Sequence, residues 1–170
     1  MKKQWNRLRA PAANGFTLAE ILVAVVIIGI AIAALVGANG AFTQVNGAAV
    51  DLSTAEFLIE EIRELTTTLP VIDPESGKDT FGPEADEATV AAYDDLDDFD
   101  NAGFCPPVDV SATALAEFGS FTQQVTVENV SPLSLETPVA DHTSDFVRIT
   151  VAILQNNRPV SSTSWIRANY

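Results

Sequence analysis

Three places in this chain hold side chains that could do chemistry, and each asks for a different kind. Glu20 is an acid at the head of a run, Ile21 to Ala38, in which no side chain is polar. The stretch Tyr93-Asp94-Asp95-Leu96-Asp97-Asp98-Phe99-Asp100-Asn101 is mostly aspartate. His142, the single histidine, stands near Asp141 and Asp145, far in sequence from the single cysteine, Cys105. An acid in a lipid-length segment calls for a charge partner, an aspartate run for a cation, and a His–Asp pair for proton transfer.

The second and third of these weaken when spacing is considered. A calcium loop of the EF-hand kind needs oxygen ligands at alternate positions, a glycine at the sixth and a glutamate at the twelfth. Starting at Asp98 puts Ala102 at the fifth position, and starting at Asp95 puts Phe99 there. An exposed acidic loop is therefore expected, with no metal and no cofactor; a looser, loop-built calcium site is the competing reading. His142 has no nucleophile elbow to serve, and no P-loop, dinucleotide turn or metal-spaced His or Cys pair occurs. It is expected to be a solvated loop residue. Cys105, before Pro106-Pro107, is expected to be a small, half-buried apolar residue, and one thiol permits no internal disulfide. The chain is not read as an enzyme.

Glu20 survives the same scrutiny. The twelve Leu, Ile and Val residues from Leu18 to Val36 favour membrane insertion by about 4 to 7 kcal/mol, against a cost of about 3 for a mid-membrane acid. Insertion wins, and the acid remains a penalty in need of a partner. A positive charge ~4 Å away would gain about 4 kcal/mol at an effective dielectric near 20.

Gly15-Phe16-Thr17-Leu18-Ala19-Glu20, after a short basic leader and before an unbroken apolar run, resembles the N-terminal segment of type IV prepilins and type II secretion pseudopilins. The resemblance covers Gly15 to about Ala38. It implies that a membrane prepilin peptidase cuts after Gly15, that the new terminal Phe16 is N-methylated, and that Glu20 pairs with the terminal amine of a neighbouring subunit during filament assembly. Gly29 falls where the family carries a glycine. Gly37 falls where many major pilins carry a proline, and with Gly40 it implies a flexible joint, since each glycine costs about 1 kcal/mol of helix propensity. The Tyr93–Asn101 run is similar to a segment of the MSHA-type minor pilin subgroup. Lacking both the proline and the loop disulfide of many major pilins, the chain resembles a minor subunit.

Charge agrees with a membrane topology. The leader carries Lys2, Lys3, Arg7 and Arg9 and no acid; after it, five basic residues stand against 23 acidic ones, a side-chain charge of −18. The positive-inside rule keeps the N-terminus cytoplasmic and sends the acidic remainder across as a single-pass protein; the resemblance implies that the membrane is the inner one, the domain periplasmic and the destination a pilus or pseudopilus. With no cluster of Lys and Arg, nucleic acid is not expected as a direct partner.

The elements follow from periodicity. Residues 1–15 are a leader to be removed, 16–40 a transmembrane and filament-core helix, and 41–170 a periplasmic globular domain. Within that domain, steps of three and four place Phe42, Val45, Ala49, Leu52, Ala55, Leu58, Ile59, Ile62, Leu65 and Leu69 on one face of an amphipathic helix over 41–69. One continuous helix from Thr17 to about Thr68 is predicted. Residues 70–118 form an acidic, Pro- and Gly-punctuated loop region, with helical turns at Thr89–Ala92 and Ser111–Phe118. Over 119–170 the period becomes two: Phe121, Gln123, Val125 and Val127, then Val147, Ile149, Val151 and Ile153, then β-prone Val160 to Asn169, with a hairpin loop at Gln155–Arg158. A helix packed on three to four antiparallel strands is an α+β arrangement, and it matches the pilin fold that the resemblance implies.

The expectation for function is a minor pilin or pseudopilin, partnered by the prepilin peptidase/methyltransferase, other pilin or pseudopilin subunits and an inner-membrane assembly platform. The rival is a periplasmic binding domain that uses residues 16–38 only as an anchor or as a secretory signal cut near Ala41.

Overall fold

A computed structural model of the protein describes residues 15–75, 77 and 80–169; the expected leader, apart from Gly15, lies outside them. Helix α1 runs Leu18–Thr66, within two residues of the predicted ends. It starts where Thr17 can cap it and stops four residues before Pro70. The chain divides into two units, residues 1–46 and 47–170.

In the first unit every described residue of α1 is exposed, and the helix is long and apolar enough to cross a membrane. Ile21, Leu22, Val25, Ile28 and Leu35 among others stand open. A helix that is greasy all round finds no water-compatible face.

In the second unit the end of α1 packs on an antiparallel sheet of five strands: β1 (Gly103–Phe104), β2 (Phe121–Ser131), β3 (Ser134–Pro138), β4 (Phe146–Gln155) and β5 (Arg158–Ala168). The order is β1-β2-β4-β5, with β3 pairing off the end of β2. The three long strands are those expected, β2 and β4 from alternation and β5 from its β-prone residues. Val125 lies opposite Val151 and Val127 opposite Ile149, so the apolar faces of β2 and β4 align. Together with Ala55, Leu58, Ile59 and Ile62 they make the core. The β4–β5 turn is Asn156-Asn157, both at positive φ (50° and 63°). That geometry suits a two-residue hairpin, and Asn tolerates it better than most residues.

Two expectations change. The sheet has five strands rather than three to four, because β1 and β3 are too short to show alternation. The packed face of α1 begins at Ala55: Phe42, Val45, Ala49 and Leu52 are exposed, and Thr66, bonded to Ile62 O at 2.8 Å, is buried. Periodicity finds an apolar stripe but does not say where the sheet ends beneath it.

Candidate functional site

At the head of α1, Thr17 and Glu20 satisfy each other. The Thr17 backbone N–H donates to Glu20 Oε2 at 2.8 Å, its hydroxyl donates to the same oxygen at 2.9 Å, and Glu20 N–H donates to Thr17 Oγ1 at 3.2 Å. This is a capping box, in which Thr at the N-cap and Glu three residues on use two otherwise orphaned N–H groups. The Thr-x-x-Glu spacing is legible in the chain, so this role of Glu20 was open to sequence reasoning and went unread. Phe16 is 86% exposed immediately before it. The acid thus sits where the helix dipole favours a negative charge, one turn from the bond whose cleavage would create an ammonium. Gly29, Gly37 and Gly40 lie within regular helix, and a Cβ at any of them would meet nothing within 4 Å.

The acidic loop is not the exposed loop expected. Asp95, Asp97 and Asp98 are each at most 3% exposed, in and beside a 3-10 turn, Asp97–Phe99. Leu96 and Phe99, both fully buried in the core, pull the turn inward, and the aspartates between them have to follow. Leu96 N–H donates to Pro70 O at 3.1 Å, which ties the turn to the segment that follows α1. Asp95 Oδ1 accepts from the N–H groups of Asp97 and Asp98 at 2.9 and 3.2 Å; Asp98 Oδ2 accepts from Asp94 and Asp95 at 2.9 and 3.2 Å. Asp97 Oδ2 accepts from Gly82 N–H at 3.1 Å, and Asp100 Oδ1 from Val127 N–H at 3.0 Å.

His142 is a second correction. It is not a solvated residue: its side chain is 11% exposed, its Nε2 lies 3.4 Å from Asp97 Oδ2, and its ring stands 5.3 Å from that of Phe81. Buried Asn129 places it, accepting from the His142 backbone N–H at 2.7 Å and donating to Ser144 O at 2.9 Å. Cys105 is exposed rather than half-buried and is a free thiol. It does not approach His142's neighbourhood in any hydrogen bond; its Sγ lies 3.9 Å from Gly119 O.

Electrostatics follow from that burial. Desolvation, then the hydrogen bond and charge of Asp97, push the Asp95 carboxyl up to about 9. Burial also raises Asp98, and raises Glu87, whose carboxyl hydrogen-bonds that of Asp98. Tyr93 is raised by burial and by the charge of Asp98. Burial and the neighbouring acids thus favour the protonated form of Asp95, Asp98 and Glu87.

Glu84, Glu87 and Asp98 bring one oxygen apiece within 4.8 Å of one another. That spacing alone would admit a hard cation. Glu87 and Asp98 each have an oxygen already engaged, however, with Glu87 Oε2 accepting from Glu84 N–H at 3.0 Å and Asp98 Oδ2 from two backbone groups. A cleft of about 420 Å³ opens beside them, lined by Asp73, Glu75, Glu84, Asp86, Glu87 and Asp94.

Compared with known proteins, the family described as the prokaryotic N-terminal methylation motif matches residues 11–36. No curated protein and no solved structure matches the chain. The chain carries the prepilin-type methylation motif, over the residues that hold Gly15, Phe16 and Glu20.

Proposed function

We propose that the chain is a structural subunit of the pilin or pseudopilin type, and within that class a minor one. The prepilin peptidase cuts after Gly15 and Phe16 is methylated. The chain then waits in the inner membrane, residues 16–40 spanning it and residues 41–170 outside, until an assembly platform moves it into a filament. There the apolar half of α1 packs against the helices of other subunits. Glu20 exchanges its bonds to Thr17 for the terminal ammonium of a neighbour, since a lone carboxylate in that core would be costly. Gly37 and Gly40 let the helix adjust as it packs. The role is structural rather than catalytic.

The observation that supports this best is the placing of Glu20, bonded to Thr17 at the head of the exposed apolar half of α1, inside the matched motif. Its test is mass spectrometry of the N-terminus, from a host with and without prepilin peptidase. The expected product is a chain beginning at N-methyl-Phe16, made only when the peptidase is present. A start near Ala41, or a retained leader, would instead support the tethered or secreted binding domain.

A further inference from the structure

We propose that the globular unit of one copy docks head-to-tail on that of another, the β2–β3 hairpin tip of one entering the groove between α1 and the β4–β5 hairpin of the next. The two features stand at opposite ends of the same sheet. Phe121, at the start of β2, pairs with Gln155, beside the β4–β5 turn and the groove; Ser131, at the far end of β2, leads into the tip. β2 is 11 residues long, so at about 3.3 Å per residue the two ends are roughly 35 Å apart.

The tip is held ready for a partner. Leu133 is 96% exposed, more than any other large apolar side chain among the described residues. The hairpin beneath it is fixed. Leu133 N–H donates to Ser131 Oγ at 3.2 Å, Thr137 Oγ1 to Ser134 Oγ at 3.0 Å, and Arg148 Nη1 to Leu135 O and Glu136 O at 3.4 and 3.3 Å. An apolar side chain on a rigid prong loses little freedom when a partner buries it. At the same end of the sheet Glu136, Asp141 and Asp145 are exposed acids, and Arg148 is already paired with Glu128.

The groove is the complement of that tip. It encloses about 620 Å³; Ala48 and Leu52 of α1 and Pro159 and Val160 of β5 supply its apolar lining, and Arg158 its cation. Its one acid, Asp51, accepts from Gln155 Nε2 at 2.8 Å, and Ser161 Oγ donates to Glu56 at 2.8 Å, so β5 is fastened to α1 beside it. Arg158 alone among the described arginines makes no ion pair or hydrogen bond with another described residue. A spare cation beside an apolar groove matches an apolar knob set among acids, and this chain presents one at its other end. Elsewhere the acids of two copies repel each other, which favours this register over others. Because the two patches differ, each docked copy leaves one of each free, and the contact can repeat in series. It goes beyond the helix packing proposed above and sets copies of this chain next to one another.

Cysteine cross-linking of the full chain in detergent micelles, in a Cys105→Ser background, tests this. Copies carrying Leu133→Cys are mixed with copies carrying Leu52→Cys or, on the open face of the sheet, Thr126→Cys. Disulfide dimers are expected from the Leu133 and Leu52 variants together, and not from the Thr126 mixture or from any variant alone. Arg158→Glu on the groove copy should lower the yield about fivefold, and Glu136→Arg on the tip copy should restore it. Both residues are exposed, so neither change threatens the fold. Yields equal to the Thr126 control, or tip-to-tip dimers of Leu133→Cys alone, would overturn the proposal. So would a yield indifferent to Arg158→Glu, a loss that Glu136→Arg does not relieve, or cross-links that form only when another membrane protein is added. The chain should behave alike with and without its leader, so failure here leaves the reading of Gly15, Phe16 and Glu20 standing.

Discussion

Glu20 answers to two structural demands, and a single-atom change separates them. Glutamine at N3 of a capping box reaches back to the N-cap N–H much as glutamate does. Glu20→Gln should therefore leave the helix and its insertion intact while abolishing incorporation into filaments, read by comparing membrane and sheared-filament fractions. Incorporation at wild-type level would leave Glu20 with the cap as its only role. Gln123 shows the opposite case, a polar residue with one job. It is fully buried on β2, accepts from Val108 N–H at 2.8 Å, and donates to Leu58 O and Val108 O, both at 3.0 Å. Gln123→Ala removes all three bonds and leaves buried backbone groups unmet, so a loss of about 2–4 kcal/mol in urea unfolding is expected. The alternation of Phe121, Gln123, Val125 and Val127 points Gln123 inward in the sequence; its partners, far away in the chain, are not readable there.

At the scale of elements, α1 has to end as securely as it begins. Arg167, near the end of β5, supplies the closure: Nη1 donates to Thr66 O and Thr67 O, each at 3.0 Å, and Nη2 to Leu69 O at 3.1 Å. These carbonyls belong to the last turn of the helix and the residues after it, where a cation also complements the dipole. Arg167→Ala should cost about 1.5–3 kcal/mol and raise exchange at the α1 C-terminus, and lysine should recover only part, because a single ammonium cannot span the carbonyls as a planar fork does. Pro70 marks this helix end in the sequence, and the greasy run marks its beginning. The chain gives no sign that β5 returns to cap it. The strand pattern, similarly, was clear for β2 and β4, where alternation runs for eight residues or more, and silent for β1 and β3.

For the molecule as a whole, the side-chain charge of −18 after the leader predicts that stability will depend on pH, and burial sets the sign. Asp95 has its folded value raised to about 9, and Asp98 and Glu87 are raised as well. The folded state therefore binds more protons than the unfolded one between about pH 4 and 9. Across that window stability falls as pH rises, by up to about 1.4 kcal/mol per pH unit for Asp95. Urea midpoints should decrease from pH 5 to pH 8, and Asp95→Asn should flatten the trend. A protein whose acids were all solvated, as composition alone suggests, would show almost none of it.

Composition and periodicity were sufficient for the long helix, its apolar half and the α+β class, and a short sequence motif for the segment around Gly15, Phe16 and Glu20, because each depends on neighbours within a few turns or one strand. Burial of the Asp95–Asp98 turn was decided only in three dimensions. Two apolar residues, Leu96 and Phe99, carry Asp97 and Asp98 between them and Asp95 beside them into the core, and backbone N–H groups bonded to the three carboxylates make that burial tolerable. A run of aspartates looks solvated until the residues that drag it inward, and the distant His142 it meets, are placed.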